Sequence, residues 1–156
     1  MVLREIYKLG ISVVGALIVM LEISGAGFAM LGGIVASVAA DQARMKASVQ
    51  VTSNARYQVH ELKNEGGNVV REYVSPSGNV FGVAWTGHQV PDYSQLLGSY
   101  TERITKAAQS RRNHHAPLSI QEPGFVFFAF GHMRFYSGQA YVPSLMPAGV
   151  LPKEIQ

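Results

Sequence analysis

Residues 57–86 read YQVHELK-NEGG-NVVREYVS-PSGN-VFGVAWT, and this stretch decides the fold. Tyr57–Lys63, Asn68–Ser75 and Val80–Thr86 are rich in β-branched and aromatic side chains. The two separators carry the Gly, Asn and Pro whose backbone angles tight turns require. The spacing predicts a meander of three antiparallel strands. In the third run Phe81, Val83 and Trp85 alternate onto one face, and Val80, Gly82 and Ala84 onto the other. The large face is predicted to fill the core, with Trp85 buried in it. The small face leaves room for another segment to approach closely.

Downstream, Pro91-Asp92 opens a predicted helix over 92–109. Asp92 is a suitable N-cap and Gln95 stands where a capping box needs it. Tyr93, Leu96, Leu97, Tyr100, Ile104 and Ala107 recur at helical spacing as one apolar stripe. Gly98 inside the helix costs about 1 kcal/mol relative to Ala, which marks a close contact. Glu102 and Lys106 form an i,i+4 pair. Strands are then expected over Leu118–Gln121, Phe125–Phe130, Met133–Tyr136 and Gln139–Val142. Phe125–Phe130 has no polar alternation, as in a central strand buried on both faces. Pro143, Pro147 and Pro152 place the tail outside the ladder, extended over the domain. The expected fold class is α+β: an antiparallel sheet, three-strand meander plus C-terminal strands, packed by one main helix. Upstream, Ser48–Thr52 reads as a strand, and Ile34–Ala47 as a short helix or part of a flexible leader.

The chain has 156 residues, of which 47% are hydrophobic and 15% charged. That charged fraction is well below the roughly 25% of soluble domains, and it is unevenly placed. Between Leu9 and Ala40 the one ionisable residue is Glu22. Arg4 and Lys8 precede an apolar core, Leu9–Leu21, about 20 Å long as a helix, against the roughly 30 Å hydrocarbon slab of a bilayer. Gly27-Phe28-Ala29 follows with small residues where a signal peptidase reads. This is the pattern of an export signal cleaved between Ala29 and Met30. The rival is an uncleaved inner-membrane anchor over residues 9–38, which puts Glu22 near mid-bilayer at about 3 kcal/mol. The expected organisation is a signal peptide over 1–29, a leader or short helix over 30–47, and one α+β domain over 48–156, in a periplasmic or secreted protein.

Several chemistries find no support in the residues. There is no cysteine, hence no disulfide, thiolate or cysteine zinc site. His60, His88, His114, His115 and His132 form no metal-ligand spacing, so no metal or cofactor is expected. No G-x-S-x-G, S-x-x-K or Gly-rich phosphate loop occurs, and no catalytic residue is assigned. A net charge of +3 without aromatics interleaved among the basic residues argues against nucleic acid. Arg103, Lys106, Arg111 and Arg112 read as a solvated helix end. Within Arg71-Glu72-Tyr73, Arg71 and Tyr73 share one strand face and Glu72 the apolar one, where Arg134 is its expected partner. Arg71, Tyr73, Trp85 and Arg134 are therefore the candidate binding residues.

Val70-Arg71-Glu72-Tyr73-Val74, Val80-Phe81 with Val83-Ala84-Trp85, Pro91-Asp92 with Leu96-Leu97-Gly98, and Met133-Arg134-Phe135 followed by Gly138, Ala140, Val142 and Pro143 carry a resemblance. So does Leu31-Gly32-Gly33. Together they resemble a family of small exported proteobacterial proteins, domain of unknown function 2844, with Gly87-His88 standing where that family has Gly-Pro. The resemblance implies export and a shared fold, and transfers no catalytic residue. The expected role is a non-enzymatic interaction or assembly accessory whose partner is another envelope protein, with the membrane met only through the N-terminal segment. The alternative is a small-ligand-binding or hydrolytic periplasmic protein with a pocket near Arg71, Trp85 and Arg134. Intact mass of the protein from its native host is expected to begin at Met30; a full-length chain in the membrane fraction would establish the anchor instead.

Overall fold

Alternating side chains in the two halves of the chain build seven strands of one antiparallel sheet. They are β1 (Ser48–Ser53), β2 (Gln58–Lys63), β3 (Val69–Val74), β4 (Val80–Gly87), β5 (Leu118–Glu122), β6 (Phe125–His132) and β7 (Phe135–Tyr141). The spatial order is β1-β2-β3-β4-β7-β6-β5, so two meanders meet along β4 and β7. The computed structural model describes residues 30–112 and 116–156. The expected signal with Ala29, and His114 and His115, lie outside the described residues.

One face of the sheet is helical. The register sets Val49, Leu62, Val70, Trp85, Gly138, Ala129 and Leu118 in a single row across all seven strands. The indole of Trp85 fills the middle of that row. A Cβ at Gly138 would stand 2.3 Å from its Cζ2, so the glycine is what admits the ring. Tyr93 meets the indole edge-on at 5.5 Å and Phe127 lies beside it at 5.7 Å. Gly138 therefore sits inside one continuous β7, where the sequence suggested two short strands.

Three helices close this face: α1 (Val38–Met45), α2 (Tyr93–Leu97) and α3 (Thr101–Ser110). Asp92 caps α2, its carboxylate accepting from the Ser94 and Gln95 amides at 2.9 and 3.2 Å. The apolar stripe packs as expected: Leu96, Leu97 and Ile104 are buried, and Tyr93, Tyr100 and Ala107 lie against them. The single main helix is broken, however. Gly98 takes φ +53°, and the Met30 thioether sulfur occupies the space of the missing Cβ, 2.1 Å from its ideal position. Gln95 does not complete a capping box; its amide reaches across to α1.

Residues 30–47 are built into the domain. Leu31 N–H donates to Leu96 O at 3.1 Å, Gly32 N–H to Val80 O and Val35 N–H to Gly78 O, both at 2.8 Å. Leu31 and Val38 are buried. The later part of an anchor over 9–38 is thus folded onto the sheet. Among the described residues no helix is long and apolar enough to cross a membrane.

On the outer face the register shifts between Tyr73 and Val74, with Tyr73 opposite Gly82 but Val74 opposite Val80. Phe81 is the extra residue of this bulge. It turns outward, away from Val83 and Trp85, because one inserted residue inverts the alternation before it. There it joins Tyr73, Ala84, Val150 and Ile155 in a second cluster. The tail supplies the last two, and a Cβ at Gly82 would lie 2.9 Å from Ile155 Cδ1. The small face does admit a close segment, and it is the chain's own. β6 departs from expectation as well. It lies inside the sheet, yet only Phe125 and Phe127 on the helical face are buried, while Phe128 and Phe130 on the outer face are 41% and 42% exposed.

Trp85→Ala removes the side chain that spans the seam and is expected to lower stability by about 3–5 kcal/mol in urea titration. Gly138→Ala, which crowds the same indole, is expected to lower it by about 1–3 kcal/mol. An unchanged midpoint for Trp85→Ala would mean that this face is not the core.

Candidate functional site

The four candidate residues do not converge. Arg71 and Tyr73 lie on the outer face of β3, and Trp85 on the helical face of β4, 5% exposed. Arg134 is exposed at the β6–β7 turn. Arg71 Nε donates to Glu61 Oε2 across the strands at 2.7 Å, the surface ion pair that such an arginine ordinarily makes. Its Nη1 donates to the Gln156 carbonyl at 3.1 Å. The Tyr73 hydroxyl donates to the same carbonyl at 2.8 Å and accepts from Gln156 N–H at 3.0 Å. Tyr57 OH donates to Glu154 at 3.1 Å, and Arg56 pairs with that carboxylate at 3.3 Å while its Nη1 donates to the Gly149 carbonyl. Arg71 and Tyr73 are therefore half of a clamp on the chain's own tail. Burial raises the Tyr73 hydroxyl above its ordinary pKa, keeping it a donor.

Glu72 does not meet Arg134. It faces Asp41 of α1, a partner that sequence reasoning missed because nothing local ties position 41 to position 72. Both side chains are buried, 0% and 1% exposed. Gln95 Nε2 donates to Asp41 Oδ1 at 2.7 Å. The other three carboxyl oxygens meet no donor from another side chain among the described residues, and the two acids interact with each other. Burial first, then the neighbouring Asp41 charge, raises Glu72 well above the usual carboxylate range. Asp41 is pushed up to about 6 by burial, with the Gln95 bond opposing. His60 stands opposite Glu72 in register, and burial lowers its imidazole pKa, so it offers little charge to the pair. Of the two acids Glu72 is the one held more strongly toward its protonated form by burial, and the arrangement is a latch between α1, α2 and the sheet. Its sequence signal was an acid on the apolar face of β3.

The unfolded chain ionises both acids near their ordinary values, whereas the fold retains protons to higher pH. The latch's contribution to stability is full below about pH 4 and falls as pH rises through 6 and beyond. Glu72→Gln keeps the shape and a donor toward Asp41. It is expected to flatten that decline and to raise stability at pH 8 by at least about 1 kcal/mol in urea titrations. An unaltered pH slope would show that the two acids do not share a proton.

The two sheet edges differ. β5 is flanked by Pro117 and Pro123, and its Glu122 is held by Arg103 of α3 at 2.9 Å. β1 pairs with β2 over six residues in unbroken register, and it contains no Lys, no Pro and no bulge. Those are the devices that ordinarily guard an edge. Concave space lies on both faces. A cleft of about 150 Å³ lies between Trp85, Asn68, Gln89 and Gln95, below the roughly 300–1,000 Å³ of small-molecule sites. A wider, open hollow of about 710 Å³ runs along Arg71, Tyr73, Tyr57 and Gln156 on the outer face, where the tail takes up their hydrogen bonds.

No curated protein and no solved structure matches the chain. The family described as protein of unknown function (DUF2844) matches over residues 27–155. The likeness carried by the Val70–Val74, Val80–Trp85, Pro91–Gly98 and Met133–Pro143 segments points the same way. With the match spanning every strand and helix described above, the chain belongs to the DUF2844 family.

Proposed function

We propose that the protein is exported and works in the cell envelope as a binding protein, taking an extended segment of a protein partner along β1. The observation that carries this reading is the unguarded edge of β1, set against the proline-flanked and helix-braced edge of β5. In Phe125–Phe130, the other run with the composition for such a role, Val126–Ala129 pair on both sides with β5 and β7 and leave no free edge. Unpaired backbone groups along an edge give affinity, and alternate side-chain positions give specificity. On β1 those positions are Val49 and Val51 on the helical side and Gln50 and Thr52 on the outer side. A strand alternating apolar with polar residues fits them. Export is supported by the Leu9–Leu21 core and the small residues Gly27 and Ala29.

Against the ligand-pocket alternative stands the placement of Arg71 and Trp85 on opposite faces and of Arg134 at a strand end; Arg71 and Tyr73 share the outer hollow, where their hydrogen bonds go to the tail. The test is photo-crosslinking in the native host from a reactive side chain at Thr52, with Ser119 on β5 as control. A protein adduct is expected from position 52 alone, and it should vanish with Val51→Lys, which charges the edge at a half-exposed site. No adduct, or one indifferent to Val51→Lys, would overturn the edge; a metabolite or hydrolase screen giving a clear hit would return the pocket reading.

A further inference from the structure

The β6–β7 hairpin extends beyond its neighbours. Pairing with β5 stops at Ala129 and pairing with β4 at Tyr136, while the hairpin continues to the pair His132 and Phe135. Its two-residue turn is Met133-Arg134, with φ +48° and +63°. Turns of this kind hold both central residues in the left-handed region, where Asn-Gly is favoured and side chains with a Cβ are strained. The turn thus keeps two long side chains at a price in conformation, which directs attention to what they do. Met133 is 88% exposed, Phe135 47% and Phe130 42%, and Val90 on the adjoining loop is 53% exposed. His88 Nδ1 lies 3.2 Å from the Arg134 carbonyl and its ring stands edge-on to Phe135. From Pro123 to Lys153 the chain contains no Asp or Glu.

We propose that this hairpin tip is a contact site for an anionic lipid bilayer, with Met133, Phe130 and Phe135 entering the interface and Arg134 meeting the headgroups. Met133 and Phe135 stand on a tip that projects past the ends of β4 and β5, which suits a fluid surface better than a rigid partner. Arginine beside exposed aromatics is the amphipathic pairing that interfaces accept, an apolar stem below and a charged head among phosphates. The acid-free hairpin makes the attraction depend on lipid charge. This site is separate from β1, so the crosslinks expected there are indifferent to it.

The experiment is co-sedimentation of the protein purified from its native host with two kinds of vesicle. One is phosphatidylcholine, the other equal parts phosphatidylcholine and phosphatidylglycerol. Binding is expected to the second, weakened by salt, and reduced about tenfold by Arg134→Glu. An apolar N-terminal segment, were it attached, would give binding indifferent to lipid charge and to position 134. The double variant Met133→Asn, Arg134→Gly supplies the fold control. It installs the preferred turn, so its melting temperature is expected to be equal or higher while vesicle binding falls about tenfold. Equal binding to both vesicles, or full binding by the double variant, would overturn the proposal. So would a hairpin that instead drives concentration-dependent self-association or captures a protein with no lipid binding.

Discussion

The indole of Trp85 lies across the seam between the two meanders, and the helical face is organised round it. β4 and β7 are joined by hydrogen bonds, but bonds of that kind form in any register. The register is fixed by an indole that needs a vacant position opposite, and Gly138 is that vacancy. Once they are matched, Ala140 falls opposite Val83, Phe127 and Tyr93 close on the ring, and α2 is drawn over the middle of the sheet. Asp41, reached from α2 through Gln95, then brings α1 over Glu72.

The parts legible in the sequence were those set by neighbours a few residues apart. The turns at Asn64–Gly67 and Pro76–Asn79, the Asp92 cap, the Tyr93–Ala107 stripe and the tight contact at Gly98 all follow from local backbone demands. What escaped was set at long range. A bulge leaves no mark in composition, so Phe81 was placed with the wrong neighbours. The run Phe125–Phe130 looked doubly buried because apolarity reports the absence of charge, and a sheet face left open looks the same in one dimension. The candidate residues Arg71 and Trp85 stand on opposite faces of the sheet, which a difference of fourteen positions in the sequence does not reveal. Their actual tasks are to hold the tail and to fill the seam.

The result is a sheet with unequal margins. One edge is flanked by proline and braced by α3, the other is bare. One face is roofed by helices, while the second is covered where the tail crosses Tyr73, Phe81, Gly82 and Ala84. Polar side chains elsewhere on the outer face, such as Gln50, Thr52, Ser137 and Gln139, meet water adequately. The aromatic hairpin is the exception to that pattern, and it lies at one end of the strands, clear of the β1 margin.

The tail clamp also bears on how the chain comes to be folded. Val150 and Ile155 complete a cluster whose other members lie between residues 73 and 84, and β7, near the middle of the sheet, belongs to the last quarter of the chain. Sequence-distant contacts of this kind slow folding and delay it until both partners are present. A ribosome or a translocation channel delivers residues in order from the N-terminus. The first meander therefore emerges with its Gly82 slot empty and its β4 edge unpaired, and it has no finished core to resist threading. Completion waits for β7 and for Ile155, so the order of synthesis itself keeps the first meander unfinished until both have been delivered.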